Sequence, residues 1–408
     1  MFTIYDTVMR TSRTFAVSVS ILLGMLLHQS AAGAAEADVS SAVGKAIMKD
    51  TLVYIGAYAP EKSKGIHLFR LQPQGTEVFQ NVTLVPLGLA AETANPSFLE
   101  IDLKRRLLFA VNEVDEFESK PTGAVSAFSI DSATGKLTLL NQRSSMGKSP
   151  CHLALDHQGR NLLVTNCGSG SVAVLPLAPD GRLGEPTDFV QHTRSGIHAQ
   201  GVTIDPADRF VFISDAGSDK VMAYRFGTET GKLAPSEPAF TAVAAGAGPR
   251  RLVFRPDGRF AYVLNERNST IVAFAYDSEA GLLAELQTIS TLPGYWDGVS
   301  SAADLQMHPS GKYLFASNDG HNSVVLFTID PDEGTLSWVE EQGTGGVAPR
   351  HFGIEPAGGH LAISNQGSGT VLASRIDSGN GRLKPSGIFA EAPSPACVKF
   401  LPPVETSR

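Results

Sequence analysis

Arg251-Leu-Val-Phe-Arg255, Pro256-Asp257-Gly258-Arg259, Phe260-Ala-Tyr-Val-Leu264 and Asn265 follow one another without interruption. The first segment alternates as a half-buried strand does, the second is a tight Pro/Gly turn, and the third is another strand closed by a short polar residue. The chain repeats this ruler. Leu103, His157, Pro206, Pro256, Pro309 and Pro356 occupy the turn. Nine residues later come Asn112, Asn166, Asp215, Asn265, Asn318 and Asn365. A fixed offset over six copies marks one repeated supersecondary unit.

Past Asn265 the unit continues through a strand from Thr270 to Tyr276, a turn at Asp277–Gly281, and a fourth strand through Ile289. A glycine followed two residues later by leucine marks that last turn in every copy: Gly135/Leu137, Gly181/Leu183, Gly231/Leu233, Gly281/Leu283, Gly334/Leu336 and Gly381/Leu383. The glycine is expected at positive φ, and the leucine to restart the buried face. Residues 51–90 hold only three strands, whereas Ser394-Pro-Ala-Cys-Val-Lys-Phe400 matches a first strand with no blade of its own. The expected fold is therefore all-β: a seven-bladed β-propeller with four antiparallel strands per blade, the C-terminal strand completing the first blade and leaving no open edge. The blades are 51–90 with 394–401, 95–142, 149–190, 197–240, 248–290, 301–342 and 348–390. Only Trp296 and Trp338 are present, so the Trp-Asp mark of WD40 arrays is missing, as is the glycine pair of kelch repeats.

The remaining organisation is brief. Arg10 and Arg13 precede an apolar run from Phe15 to Leu27, and Ala32-Gly33-Ala34 fits a small-residue cleavage site. Residues 1–34 read as a signal peptide, 35–50 as a linker, 51–402 as the propeller and 403–408 as a tail. Export is the expectation, with no membrane span after cleavage; an uncleaved anchor is the competing reading. A net charge of −8 without a basic stripe argues against nucleic acid. Cys151, Cys167 and Cys397 show no metal spacing and are read as free, small core residues. No cofactor or metal motif is present, and a monomer is expected.

In a propeller the starts of the first strands share a face with the Asn-containing turns. Two rings of side chains crowd that mouth: Ser97, Cys151, Gln200, Arg250, Ala303, Arg350 and Ala396, and, one residue on, Phe98, His152, Gly201, Arg251, Asp304, His351 and Cys397. Arg250, Arg251, Asp304, Arg350 and His351 stand where the repeat predicts small or apolar residues. His198, Gln200, Asp319, His321 and Asn322 add to them. Such an annulus suits an anionic, hydroxyl-rich ligand; the alternative is that the charges only pair with one another. The long linker from Thr291 to Ser301 carries Tyr295 and Trp296, either as a lid over the mouth or as packing between blades.

Gly248-Pro-Arg250, Ala261-Tyr-Val-Leu-Asn-Glu266, Leu286-Gln-Thr-Ile-Ser-Thr-Leu-Pro293, Ser317-Asn and Ala348-Pro-Arg350 resemble the seven-bladed propeller lactonase family, which includes 6-phosphogluconolactonases and related muconate cyclases. The resemblance spans about residues 51–402. It implies cofactor-independent hydrolysis of a small sugar lactone at the mouth. The family's histidine after Gly-Pro-Arg is Arg251 here, its His-x-His is His198-Ala199-Gln200, its Ala-Glu-Ile-His is Ala303-Asp304-Leu305-Gln306, and its arginine after Ser-Asn is Asp319. From position and residue type, Asp304 or His198 is expected as the base, Arg250 and Arg350 as oxyanion or anion holders, and His351 as the proton donor. Gln200, Arg251, His152, Asn318, Asp319, His321 and Trp296 are expected to contact substrate. A non-catalytic exported propeller and a lactonising enzyme of the muconate type are the alternatives.

Overall fold

The computed structural model describes residues 50–58, 64–74, 81–192 and 198–403. The expected signal peptide, most of the linker and most of the tail lie outside the described residues. Twenty-eight strands, β1–β28 in chain order, form seven four-stranded antiparallel sheets. The innermost strands are β4 (Leu99–Asp102), β8 (Pro150–Leu155), β12 (Ala199–Ile204), β16 (Pro249–Phe254), β20 (Ser301–Met307), β24 (Pro349–Ile354) and β28 (Pro395–Leu401). The last of these pairs antiparallel with β1 (Leu52–Ala57), Leu52 opposite Leu401 and Ile55 opposite Val398, so the first blade is completed from the C-terminus as the strand count requires.

Alternation places one face of every strand against the next blade. Tyr262 and Leu264 of blade five meet Leu314, Ala316, Val325 and Phe327 of blade six in one buried cluster. Fully burying one such side chain contributes about 1.5–3 kcal/mol. The hairpin glycines serve this packing as well as the turn. Gly281 has φ +71°, and a Cβ there would lie 2.4 Å from the Phe210 ring of the preceding blade. Gly334 stands in the same relation to Phe260, and Gly381 to Tyr313.

In four blades the polar residue at the end of the second strand proves to be an inter-blade latch, whereas Asn265 donates within its own blade to Thr270 at 3.0 Å. Asn112, Asn166, Asn318 and Asn365 are buried. Each donates its amide to a carbonyl just past the preceding blade's last strand: Ala94 at 2.6 Å, Ser145 at 2.9 Å, Thr291 at 2.8 Å and Thr344 at 3.2 Å. Asn318 also accepts from the Thr291 hydroxyl at 2.7 Å, so both ends of its amide are used by the fold and it does not serve as a substrate contact. Asp215 cannot donate; it instead accepts from the amides of Gly217 and Ser218 and from the Ser218 hydroxyl.

The cysteines correct the sequence reading. Cys151 and Cys167 form a disulfide with Cα atoms 6.0 Å apart, and among the described residues only Cys397 is free, buried beside the axis. Residue spacing did not reveal the pair because Cys151 sits on a bulge, as described next.

Candidate active site

Six of the seven inner strands carry an irregularity at the start. Register shifts by one residue between Pro150 and His152, Ala199 and Gly201, Pro249 and Arg251, Ala302 and Asp304, and Pro349 and His351. The residue skipped is the unpaired member of a β-bulge, which re-aims its side chain. Those residues are Cys151, Gln200, Arg250, Ala303 and Arg350. Ala396 is passed over in the same way where β28 meets β1. A narrow cavity at the mouth is lined by Ser97, Cys151, Gln200, Arg250, Arg350 and Ala396, with Phe98, Arg251 and His351 beneath them. Six of the seven bulge-ring positions thus build its wall.

A further ring, of which the sequence reading picked out only Asp319 as a site residue, stands one residue past the ruler's polar position, or its equivalent in blade one: Tyr58, Glu113, Cys167, Ala216, Glu266, Asp319 and Gln366. Its backbone amides pin the mouth. Glu113 donates to Asn95, Cys167 to Ser149, Ala216 to His198, Glu266 to Gly248 and Gln366 to Ala348, at 2.8–3.1 Å. The same ruler, read one residue further, would have found these side chains. Arg250 is held from three sides. Its Nη1 reaches Glu266 at 2.9 Å and the Gln200 side-chain oxygen at 3.3 Å, and its Nε donates to the Ala303 carbonyl at 2.7 Å. Burial raises the Glu266 carboxyl, but the charges of Arg250, Arg251 and Arg350 and the hydrogen bond from Arg250 outweigh it and hold the group below the usual carboxylate value. Arg350 donates to the Tyr58 hydroxyl at 3.0 Å and lies 5.0 Å from that ring, with no carboxylate in ion-pair contact among the described residues. Tyr58 and Ser97 both donate to Glu113. Burial pushes the Tyr58 phenol up to about 12, against the pull of Arg350.

The second ring forms a floor. Phe98 packs on His152 with ring centroids 4.1 Å apart and meets His351 edge-on at 5.5 Å. Gly201 is required here, since a Cβ would come within 2.6 Å of the Arg250 carbonyl. Arg251 donates to the Gln200 carbonyl at 2.7 Å. Burial, then the neighbouring Arg250, lowers the Arg251 guanidinium to about 10.

Asp304, expected as the base, lies in this floor and does not line the mouth. It is 1% exposed. One oxygen accepts from Gln306 at 3.1 Å and the Phe352 amide at 3.3 Å, and the other faces Arg251 at 3.5 Å. It opens instead toward a separate cavity entered from the opposite face, lined also by Glu100, His157, Thr203, Gln306 and Lys399.

His351 lines the mouth, but its Nδ1 accepts the Val398 amide at 3.2 Å, which leaves the proton on Nε2, 3.6 Å from Asp304. Burial depresses its pKa to about 4, so it is neutral near pH 7 and a poor donor. His152 is also held well below its usual value, by burial and then by Arg251.

The remaining expectations are placed elsewhere. His198 is exposed, tied through its backbone to Asp215 and Ala216, and is not a lining residue. Trp296 packs edge-on against His321 at 4.6 Å, and Tyr295 donates to Glu341 of blade six. Both contacts hold the linker against blade six. Asp319 occupies the same ring as Glu113 and Glu266 on blade six, half-buried; none of the three lines the narrow cavity itself, and among the described residues Asp319 has no ion-pair contact with an arginine of the mouth, whereas Glu266 has one with Arg250.

Fold and mouth together define a closed propeller with a small, arginine-lined polar cavity at its mouth. The family of seven-bladed β-propeller lactonases matches residues 52–400. A 6-phosphogluconolactonase of Bacillus subtilis (strain 168) is 32% identical over 357 residues, covering 85% of this chain and 97% of its own. A solved periplasmic gluconolactonase of Pseudomonas aeruginosa is 31% identical with a TM-score of 0.79, covering 87% of this chain and 100% of that one. A 6-phosphogluconolactonase of Pectobacterium carotovorum (strain PC1) is 30% identical over 350 residues, 86% of this chain and 98% of its own. The chain belongs to the seven-bladed β-propeller lactonase family.

Proposed function

We propose that this protein is a lactonase that hydrolyses the ring ester of an aldonolactone at the mouth cavity. The observation that carries this reading is the presence of both Arg250 and Arg350 in the cavity wall, with Glu266 joined to Arg250 at 2.9 Å. It sets an ionised carboxylate beside one arginine, with a second arginine free of carboxylates among the described residues. The base role falls to Glu266 rather than Asp304. Glu266 takes a proton from water as the oxygen attacks the lactone carbonyl carbon. Arg350 donates to the carbonyl oxygen as it becomes an oxyanion. The ring C–O bond then breaks, the alkoxide takes up the proton held by Glu266, and the product is the open hydroxy acid. Gln200 and Arg251 keep Arg250 in register. With glutamates as well as arginines at the rim, and Asp319 in the Glu113/Glu266 ring, a neutral lactone is the better expected substrate than its 6-phosphate.

Export is part of this reading. The Arg-led apolar N-terminus supports it, as does a disulfide of the kind that persists in oxidising compartments. The test follows acid release from δ-gluconolactone and from its 6-phosphate above the spontaneous rate. Glu266→Gln is expected to lower kcat by about 10²–10⁴-fold, and Arg350→Met by about 10²–10³-fold. No excess rate, or variants as fast as the parent, overturns the proposal.

A further inference from the structure

Blade three departs from its neighbours at the mouth. A bulge residue and the residue past the latch are separated by 16 positions in the disulfide Cys151–Cys167. The same two positions carry the Arg250–Glu266 ion pair in blade five and the Ser97–Glu113 hydrogen bond in blade two. In blade three alone the link is covalent, and it faces Gln200. Cys167 Sγ lies 3.7 Å from the Gln200 side-chain oxygen, and Cys151 Sγ lies 3.5 Å from the Ala199 carbonyl and 3.9 Å from that of Gln200. A disulfide sulfur carries no proton, so these are packing contacts. Gln200 is therefore clamped between an aprotic sulfur wall and two arginines: its side-chain oxygen receives Arg250, and its main-chain oxygen receives Arg251.

We infer that the Cys151–Cys167 disulfide is a positioning element of the active site, acting through Gln200 on Arg250. The inference rests on the lactonase reading for its kinetic consequence and on geometry for the rest. The intact bond leaves the Gln200 side-chain oxygen to Arg250. Reduction changes the chemistry of the wall. A dithiol reductant attacks one sulfur, the S–S bond breaks, and the second thiol closes the reductant's own disulfide. Two cysteine thiols remain. The Cys167 S–H then stands within sulfur–oxygen hydrogen-bond reach of the oxygen that Arg250 uses, and Cys167 is no longer fixed to the bulge. The Gln200 oxygen then divides its two lone pairs between Arg250 and the thiol, which weakens the longest of the three bonds that hold Arg250, at 3.3 Å, and loosens the placement of Arg250 beside Glu266. Cys151 is buried but Cys167 is only half-buried, so the bond is open to a small reductant on the Cys167 side.

The experiment is a two-by-two comparison: parent and Gln200→Ala, each oxidised and reduced by dithiothreitol, with Cys151→Ala/Cys167→Ala as a reductant-free counterpart. Kinetics use δ-gluconolactone. The side-chain Nε–H signal of Arg250, assigned by its absence in Arg250→Lys, is followed by NMR. In the parent, reduction is expected to lower kcat by about ten- to a hundred-fold, as small misplacements of catalytic groups do, with KM changing less, and to move the Arg250 signal. In Gln200→Ala, reduction is expected to do neither. A disulfide that only stabilises the fold would lower the urea midpoint in both backgrounds and leave the kinetics and the Arg250 signal alone; that result overturns the inference. So does an equal kinetic loss in both backgrounds. If the oxidised parent has no lactonase activity but the Arg250 signal still moves only in the parent, the functional reading falls and the positioning role stands.

Discussion

Acid should loosen this fold at an unusually high pH because two floor histidines are buried as neutral rings. His351 is 2% exposed, and its pKa falls from 6.5 to about 4 through burial, then through Lys399 and the nearby arginines, with Asp304 opposing. In the unfolded chain the ring returns to about 6.5. Between these values the unfolded state binds more protons than the native one, so stability falls as pH falls. At pH 7 the His351 contribution is fully present. By pH 5 the unfolded chain gains about 2 kcal/mol relative to the native state from this ring alone, and the full loss approaches about 3 kcal/mol near pH 4. His152 and His192, both lowered first by burial, act with the same sign. Carboxylates held below their usual values, such as Glu266 and Glu355, lose their share only at lower pH, so the window from 6.5 to 5 belongs to the histidines. Urea unfolding at pH 7.0 and 5.0 measures the drop. His351→Asn keeps an acceptor for the Val398 amide and has nothing to titrate, so its drop should be smaller by about 2 kcal/mol. An unchanged drop in that variant would mean that His351 protonates freely in the native protein, and the reasoning from burial would be refuted.

Two stability predictions separate the roles of the repeat's small residues. Gly281→Ala places a methyl at φ +71° against the Phe210 ring and should cost roughly 2–4 kcal/mol. Gly387→Ala, at φ +70° with no atom within 4 Å, should cost only the backbone part of about 1–2 kcal/mol; equal urea midpoints for the two would exclude inter-blade contact as the reason for Gly281. Asn166→Ala leaves the buried Ser145 carbonyl without its donor and should cost about 1–3 kcal/mol, whereas a neutral result would remove the latch from the account.

The ruler in the sequence made the blades, the closing strand and the two rings legible, because backbone pairing obeys spacing. It did not reveal depth. Arg250 and Arg251 are neighbours in sequence, yet the bulge sends one to the cavity wall and the other to the floor. Asp304 fell on the buried side of the same divide and was read as the base. Asn318 reads as a substrate contact because it closes a strand on the mouth face, while its amide bridges two blades. Cys151 and Cys167 looked unrelated because a bulge sets one of them out of register. Glu266 lay inside a quoted motif but outside the positions counted, one step past Asn265.

The closing strand has a consequence for the order in which the protein can be made. Leu52 is among the first propeller residues to be synthesised, and its partner Leu401 among the last. Blades two to seven can assemble as their residues emerge, with blades two, three, six and seven latched to the one before. The first blade keeps an unsatisfied inner edge until the final residues arrive. The arginine cavity has Ala396 in its wall and Tyr58 as a brace, so it too is incomplete until then. Until β28 is made the growing chain is thus an open arc without a working mouth, and ring closure and active-site completion become one event.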